Sequence, residues 1–145
     1  MMTRLKLLFY APAALLVFSA GYLAGTHETT VKADSSRVFE LRTYHCAPGK
    51  LDDLLKRFRE HTMTIFERHG MHNVAYFTPT DEPQKSNTLI YIISHASREQ
   101  ADENWKAFNS DPEWQKVKAA SEANGKIVEK VDRVFMSPTE FSPLK

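Results

Sequence analysis

The chain has 145 residues, 42% of them apolar and 26% charged, with a formal net charge of +1. Length alone allows one domain of ordinary size. A single cysteine, Cys46, excludes a disulfide framework within the chain.

Residues 1–33 read apart from the rest. Arg4 and Lys6 make a short positive start, and Leu7 to Gly25 then runs without a charge. As a helix this stretch reaches about 28 Å, close to the hydrocarbon thickness of a bilayer. Val31-Lys32-Ala33 offers small residues at −3 and −1 of a cleavage site. The segment is expected to be a signal peptide or an N-terminal membrane anchor with a linker. If an anchor, Gly21 and Gly25 have the spacing of a helix-pairing motif. Either reading delivers residues 34–145 outside the cytoplasmic membrane, as a periplasmic or extracellular domain that touches a membrane only through an uncleaved leader. Removing Arg4, Lys6 and Lys32 against Glu28 takes 19 basic and 18 acidic residues to 16 and 17. A net charge of −1 gives no electrostatic footprint for nucleic acid.

From Arg37 to His45 the chain alternates and is rich in β-branched and aromatic residues, which predicts a strand. After Pro48-Gly49, the apolar residues Leu51, Leu54, Leu55, Phe58, Ile65 and Phe66 predict an amphipathic helix ending at Gly70, with Lys56, Arg57, Arg59 and Glu60 on its wet side. Asn73 to Thr78 and Thr88 to His95 read as strands on either side of a polar turn. Ser97 and Gln100 form a capping box for a helix that turns Ala101, Trp105 and Phe108 inward. Asp111 as N-cap and Pro112 at the first helical position start another, with Trp114 and Val117 facing inward. A last strand spans about Val128 to Met136.

The order β-α-β-β-α-β predicts an α+β, ferredoxin-like domain: an antiparallel sheet with its helices on one face. Crossover handedness is expected to put the first and third strands side by side and parallel in the middle. The other sheet face has no helix to cover it, which implies a homodimer.

In the first strand, Phe39, Leu41 and Thr43 suit the helix-covered face. Glu40, Arg42 and Tyr44 then point to the bare face, which a dimer turns into an interior. An Arg fork and a Tyr hydroxyl can hold a carboxylate or carbonyl, so these three are the ligand-binding candidates. The plainer alternative is a Glu40–Arg42 salt bridge that fixes strand register. Val38-Phe39-Glu40-Leu41-Arg42-Thr43-Tyr44 with Pro48-Gly49-Lys50, Ser97-Arg98-Glu99, Trp105-x-x-Phe108, Asp111-Pro112-Glu113-Trp114 and Phe141-Ser142-Pro143-Leu144 resembles the NIPSNAP-domain family over roughly 37–145. The resemblance implies a dimeric α/β barrel and leaves the reaction open. The wider superfamily includes cofactor-free monooxygenases and haem-handling enzymes, an analogy of fold only. A mitochondrial transit peptide would be Arg- and Ser-rich, unlike this leader.

Other residue types carry weaker signals. His45 and His95 end the two strands taken as parallel, which would put them at one sheet edge; His61, His69 and His72 lie elsewhere. Nothing in the spacing forces three or four of them together, so no metal and no cofactor is expected. Helical spacing reads Trp105, Phe108 and Trp114 as core rather than a ligand box, and Cys46 as a small apolar residue at a strand end. The expectation is a non-catalytic homodimeric module for a small ligand or a protein partner. A cofactor-independent oxygenase using Arg42 and Tyr44, or a haem or metal binder, is the alternative.

Overall fold

The computed structural model describes residues 37–144. The leader or anchor, its cleavage site and the Gly21/Gly25 pair lie outside the described residues. Among the described residues no helix is long and apolar enough to cross a membrane.

The alternating segments become four strands: β1 (Val38–Cys46), β2 (His72–Phe77), β3 (Thr88–His95) and β4 (Val128–Met136). They form one sheet in the order β2-β3-β1-β4. Every neighbouring pair is antiparallel, including β1 with β3. That corrects the parallel central pair expected from the crossovers. The helical crossover returns β2 parallel to β1 one place away. The turn between β2 and β3 reverses direction, so β3 must run against both. Val38 therefore pairs with His95, and His45 with Thr88. His45 and His95 sit at opposite ends of the sheet, not at one edge.

The first helical region forms three abutting pieces, α1 (Leu51–Arg57), a π-helical turn (Phe58–Thr62) and α2 (Met63–Arg68). The Thr62 hydroxyl donates to the Arg57 carbonyl at 3.2 Å, a side-chain tie across the wider turn. Gly70, at φ 72°, closes α2; a Cβ there would come 3.2 Å from the Asn104 side-chain amide. Beyond β3 come α3 (Arg98–Ser110) and α4 (Pro112–Ser121). Ser97 caps α3 by accepting from the Gln100 N–H, but the Gln100 amide reaches Glu103 and Asn104 instead of completing the box. Asp111 caps α4 through the Glu113 and Trp114 N–H groups.

The helices pack on one sheet face around Leu54, Phe58, Ile65, Phe66, Leu89, Tyr91, Ile93 and Phe108. Each such side chain contributes roughly 1.5–3 kcal/mol by leaving water. Ile90 and Ile92 face the other way and are only half-buried. There, Leu41 pairs with Ile92 and Val134, and Phe77 with Ile90. Phe77 and Val134 are 54% and 53% exposed. At one end of this bare face a groove of about 240 Å³ runs between Phe39 and Met136 and the tail residues Pro138 and Leu144.

The faces of β1 are the reverse of those expected. Glu40, Arg42 and Tyr44 point into the helix-covered side, and Phe39, Leu41 and Thr43 to the bare side. The inversion is tolerated because every charge turned inward finds a partner there.

Candidate functional site

Glu40 is fully buried and accepts three donors. Arg42 Nη1 donates to its Oε1 at 2.8 Å, Trp105 Nε1 to its Oε2 at 2.7 Å, and His95 Nε2 lies 2.9 Å from the same Oε2. Burial alone would push this carboxyl up; the hydrogen bonds from His95 and Trp105 and the Arg42 charge outweigh it, holding Glu40 below the usual carboxylate range. Behind it, the Asn104 amide donates to the Gly70 carbonyl at 3.0 Å and faces His95 Nδ1 at 3.3 Å. That arrangement puts the His95 ring proton on Nε2, where it donates to Glu40. The network ties β1 and β3 to α3 and to the turn after α2.

Arg42 is held on a second side. Its guanidinium carbon lies 4.0 Å from the centroid of the Trp105 ring and 5.4 Å from that of Tyr44. Its Nε is buried without an acceptor among the described residues. Arg57, at the end of α1, repeats the pattern. Nη1 donates to Ser121 Oγ at 3.1 Å and Glu122 Oε1 at 3.2 Å, the guanidinium carbon lies 5.3 Å from the Trp114 ring centroid, and Nε has no acceptor among the described residues. The Arg57 side chain is 4% exposed. The amphipathic pattern had placed Arg57 on the wet side of its helix. It is instead buried, three residues after the fully buried Leu54, with the π-helical turn beginning right after it.

Both arginines line a cleft of about 400 Å³ between the sheet and the helices. Its walls include Tyr44, Phe58, Phe66, Trp105, Phe108 and Trp114. Arg42, Arg57, Lys118, Lys126 and Arg133 face it against one lining carboxylate, Glu122. A cleft that sets an aromatic wall beside an excess of cations has the form of a site for a small anionic molecule. Buried guanidiniums stacked on indoles are suited to planar acids, since the fork matches a carboxylate and the ring holds the fork in place.

Of the three candidates on β1, Arg42 and Tyr44 line this cleft, while Glu40 stands behind it as the anchor for Arg42. The tryptophans assigned to the core are half-buried and form cleft wall as well as packing. Arg57 was missed; its one signal was its helical spacing from Leu54. Burial raises the Tyr91 hydroxyl well above the ordinary tyrosine value, and raises Tyr76 likewise, so both phenols stay protonated. Burial also pushes the Cys46 thiol up to about 11, an unreactive state at neutral pH. The histidines are dispersed, His45 beside Asp132, His69 beside Asp111 and His72 beside Glu67. Among the described residues no three His, Cys, Asp or Glu side chains converge on a metal position.

The NIPSNAP family model matches residues 39–143. A NIPSNAP family protein from Agrobacterium tumefaciens, solved at 2.40 Å, is 25% identical, with a TM-score of 0.65 over 75% of this chain and 99% of that one. A second from the same organism, a NIPSNAP family protein with unknown function, is 24% identical, with a TM-score of 0.64 over 77% and 96%. An uncharacterized NIPSNAP-like domain protein from Burkholderia xenovorans shares 17% identity and a TM-score of 0.65 over 75% and 90%. No curated protein matches the chain.

Proposed function

The chain belongs to the NIPSNAP family, and we propose that its domain is an exported, homodimeric module that binds a small organic anion in the helix–sheet cleft without catalysing a reaction on it. The observation that carries this reading is the pair Arg42 and Arg57, two buried guanidiniums with an unpartnered Nε on the wall of an aromatic cleft. A carboxylate in the cleft would meet guanidinium edges that Glu40 and Glu122 already hold in place.

The acid–base groups around the cleft are already committed to the fold. Glu40 is fully buried and already accepts from Arg42, His95 and Trp105, so it is committed to the fold and closed to a substrate proton. Tyr91 and Tyr76 are held protonated by burial. Dimerisation is argued from the bare face, where Leu41, Ile92, Val134 and Phe77 form an apolar strip across all four strands. A second copy of the same face meets it without needing opposite charge. Export rests on the basic and then apolar N-terminal run.

Isothermal titration of the full chain with benzoate and 2-naphthoate tests the reading. Saturable binding accompanied by quenching of Trp105 and Trp114 fluorescence is the expected result. No heat and no quenching with either acid at millimolar concentration would overturn it. A reporter fused after Lys145 that is active only in the cytoplasm would overturn export, and light scattering giving a monomer at micromolar concentration would overturn the dimer.

A further inference from the structure

Arg42 and Arg57 come from different elements, β1 and the end of α1, yet their surroundings match. Each has a tryptophan face against it, Trp105 at 4.0 Å and Trp114 at 5.3 Å from ring centroid to guanidinium carbon. Each donates from Nη1 to one carboxylate of the chain, Glu40 or Glu122, and each has a buried Nε with no acceptor among the described residues. The two tryptophans belong to one aromatic row, with Phe108 between them at 5.6 Å from Trp105 and 4.5 Å from Trp114. A single site for one acidic group needs one such arrangement. Two of them along one apolar wall fit a ligand with an acidic group at each end.

We infer that the cleft selects organic dianions, rigid dicarboxylates whose apolar body lies between the two arginine–tryptophan pairs with one carboxylate at each arginine. This rests on the anion-binding reading above and narrows it. The two internal carboxylates are not equivalent. Glu40 is fully buried and shared among three donors, so it stays in place when a ligand arrives. Glu122 is partly exposed at the end of α4 and holds Arg57 at 3.2 Å through one oxygen. The carboxylate at the Arg57 end therefore competes with Glu122 for Nη1, while the one at Arg42 adds to an intact pair. The chain's own surplus of cations around the cleft, with Lys118, Lys126 and Arg133 beside the arginines, favours the second negative charge.

The test compares matched probes on the full chain by isothermal titration: benzoate against terephthalate, and 2-naphthoate against 2,6-naphthalenedicarboxylate, at two salt concentrations. At least one diacid is expected to bind at least tenfold more tightly than its monoacid, the effect of about one added charge-assisted hydrogen bond. The preference should shrink in Arg57→Gln to within about threefold. Glu122→Gln is expected to strengthen diacid binding by removing the competitor, and melting curves confirm that each variant is folded. Equal affinity for monoacid and diacid in both pairs overturns the dianion inference while leaving anion binding intact. A diacid preference that survives unchanged in folded Arg57→Gln also overturns it, because the second charge would then be read by the surface lysines. Failure of all four acids to bind would instead remove the anion-binding reading itself.

Discussion

The sheet has two faces that solve opposite problems with the same strands. On the helix side of β1, Glu40, Arg42 and Tyr44 lie inside a core of Phe58, Phe66, Tyr91 and Trp105, and their polar atoms are met by His95 and the indole N–H. On the other side, Phe39, Leu41, Ile90, Ile92 and Val134 form an apolar surface that gives way at one end to an exposed His45–Asp132–Lys130 cluster. Polarity thus does not decide which face is covered. What decides it is whether the covering helices bring partners for the polar set, and α3 brings both Trp105 and, through Asn104, the support for His95. The apolar strip of the bare face asks for no partner and can meet either water or another sheet.

The comparison breaks most violently at Arg42. Arg42→Ala leaves Glu40 buried with one donor fewer and, of its two guanidinium partners, Arg133 alone at 4.0 Å, which costs about 3–5 kcal/mol. At about 4 °C per kcal/mol for a domain of this size, the melting midpoint should fall by about 12 °C or more. A calorimetric scan showing a drop of only two or three degrees would mean that His95 and Trp105 suffice for Glu40. A smaller break on the same face is Trp105→Phe, which keeps a ring over Arg42 and removes one hydrogen bond to a charged acceptor. The expected loss is about 2 kcal/mol in urea unfolding, at unchanged m-value.

The bare face should answer differently. Val134→Lys places a charge where the domain itself needs none, so unfolding of the monomer should shift by no more than about 0.5 kcal/mol. Sedimentation should nonetheless show the dimer lost. If the variant stays dimeric, the second copy sits elsewhere; if it unfolds, the bare face belongs to the domain's own core.

The element order, the bounds of β3 and β4 and the Asp111-Pro112 helix start were legible in the sequence, because each rests on local chemistry: alternation, an apolar run, a cap. The direction of β3 relative to β1 depends on counting reversals through the whole connection, and the rule for adjacent crossovers was applied to strands that one hairpin had already turned. The side taken by Glu40 was misread because alternation reports two sets and not which is covered. On β3 both Leu89, Tyr91, Ile93 and Ile90, Ile92 are apolar, so that strand offered no arbitration. The pairing signal was present in Glu40 and Arg42, opposite charges two apart and so on one face. Their partners His95 and Trp105 lie 55 and 65 residues away, where no local pattern links them. Arg57 was misplaced for a related reason, since the cleft that buries it is closed by Ser121 and Glu122 far along the chain.

The smallest expected effect lies at the rim of the helix layer, where only the covered face requires fastening. Asp111 Oδ1 caps α4, and Oδ2 accepts from Arg68 at 2.8 Å and lies 2.7 Å from His69 Nε2, joining the start of α4 to the end of α2. The bond to His69, then that to Arg68, holds its carboxyl well below the usual carboxylate range. A carboxyl depressed in the folded state contributes stability that is fully present above its unfolded value of about 3.9 and is lost as pH falls towards the folded one. Asp111→Asn keeps the cap acceptor and removes the charge, so it should melt below the parent protein at pH 7 and converge with it as pH falls from about 5 towards 2. Paired thermal scans across that range check the sign. A gap that stays constant down to pH 2 would assign the stabilisation to the cap geometry and not to the charge, and the helix layer would then be pinned by packing alone.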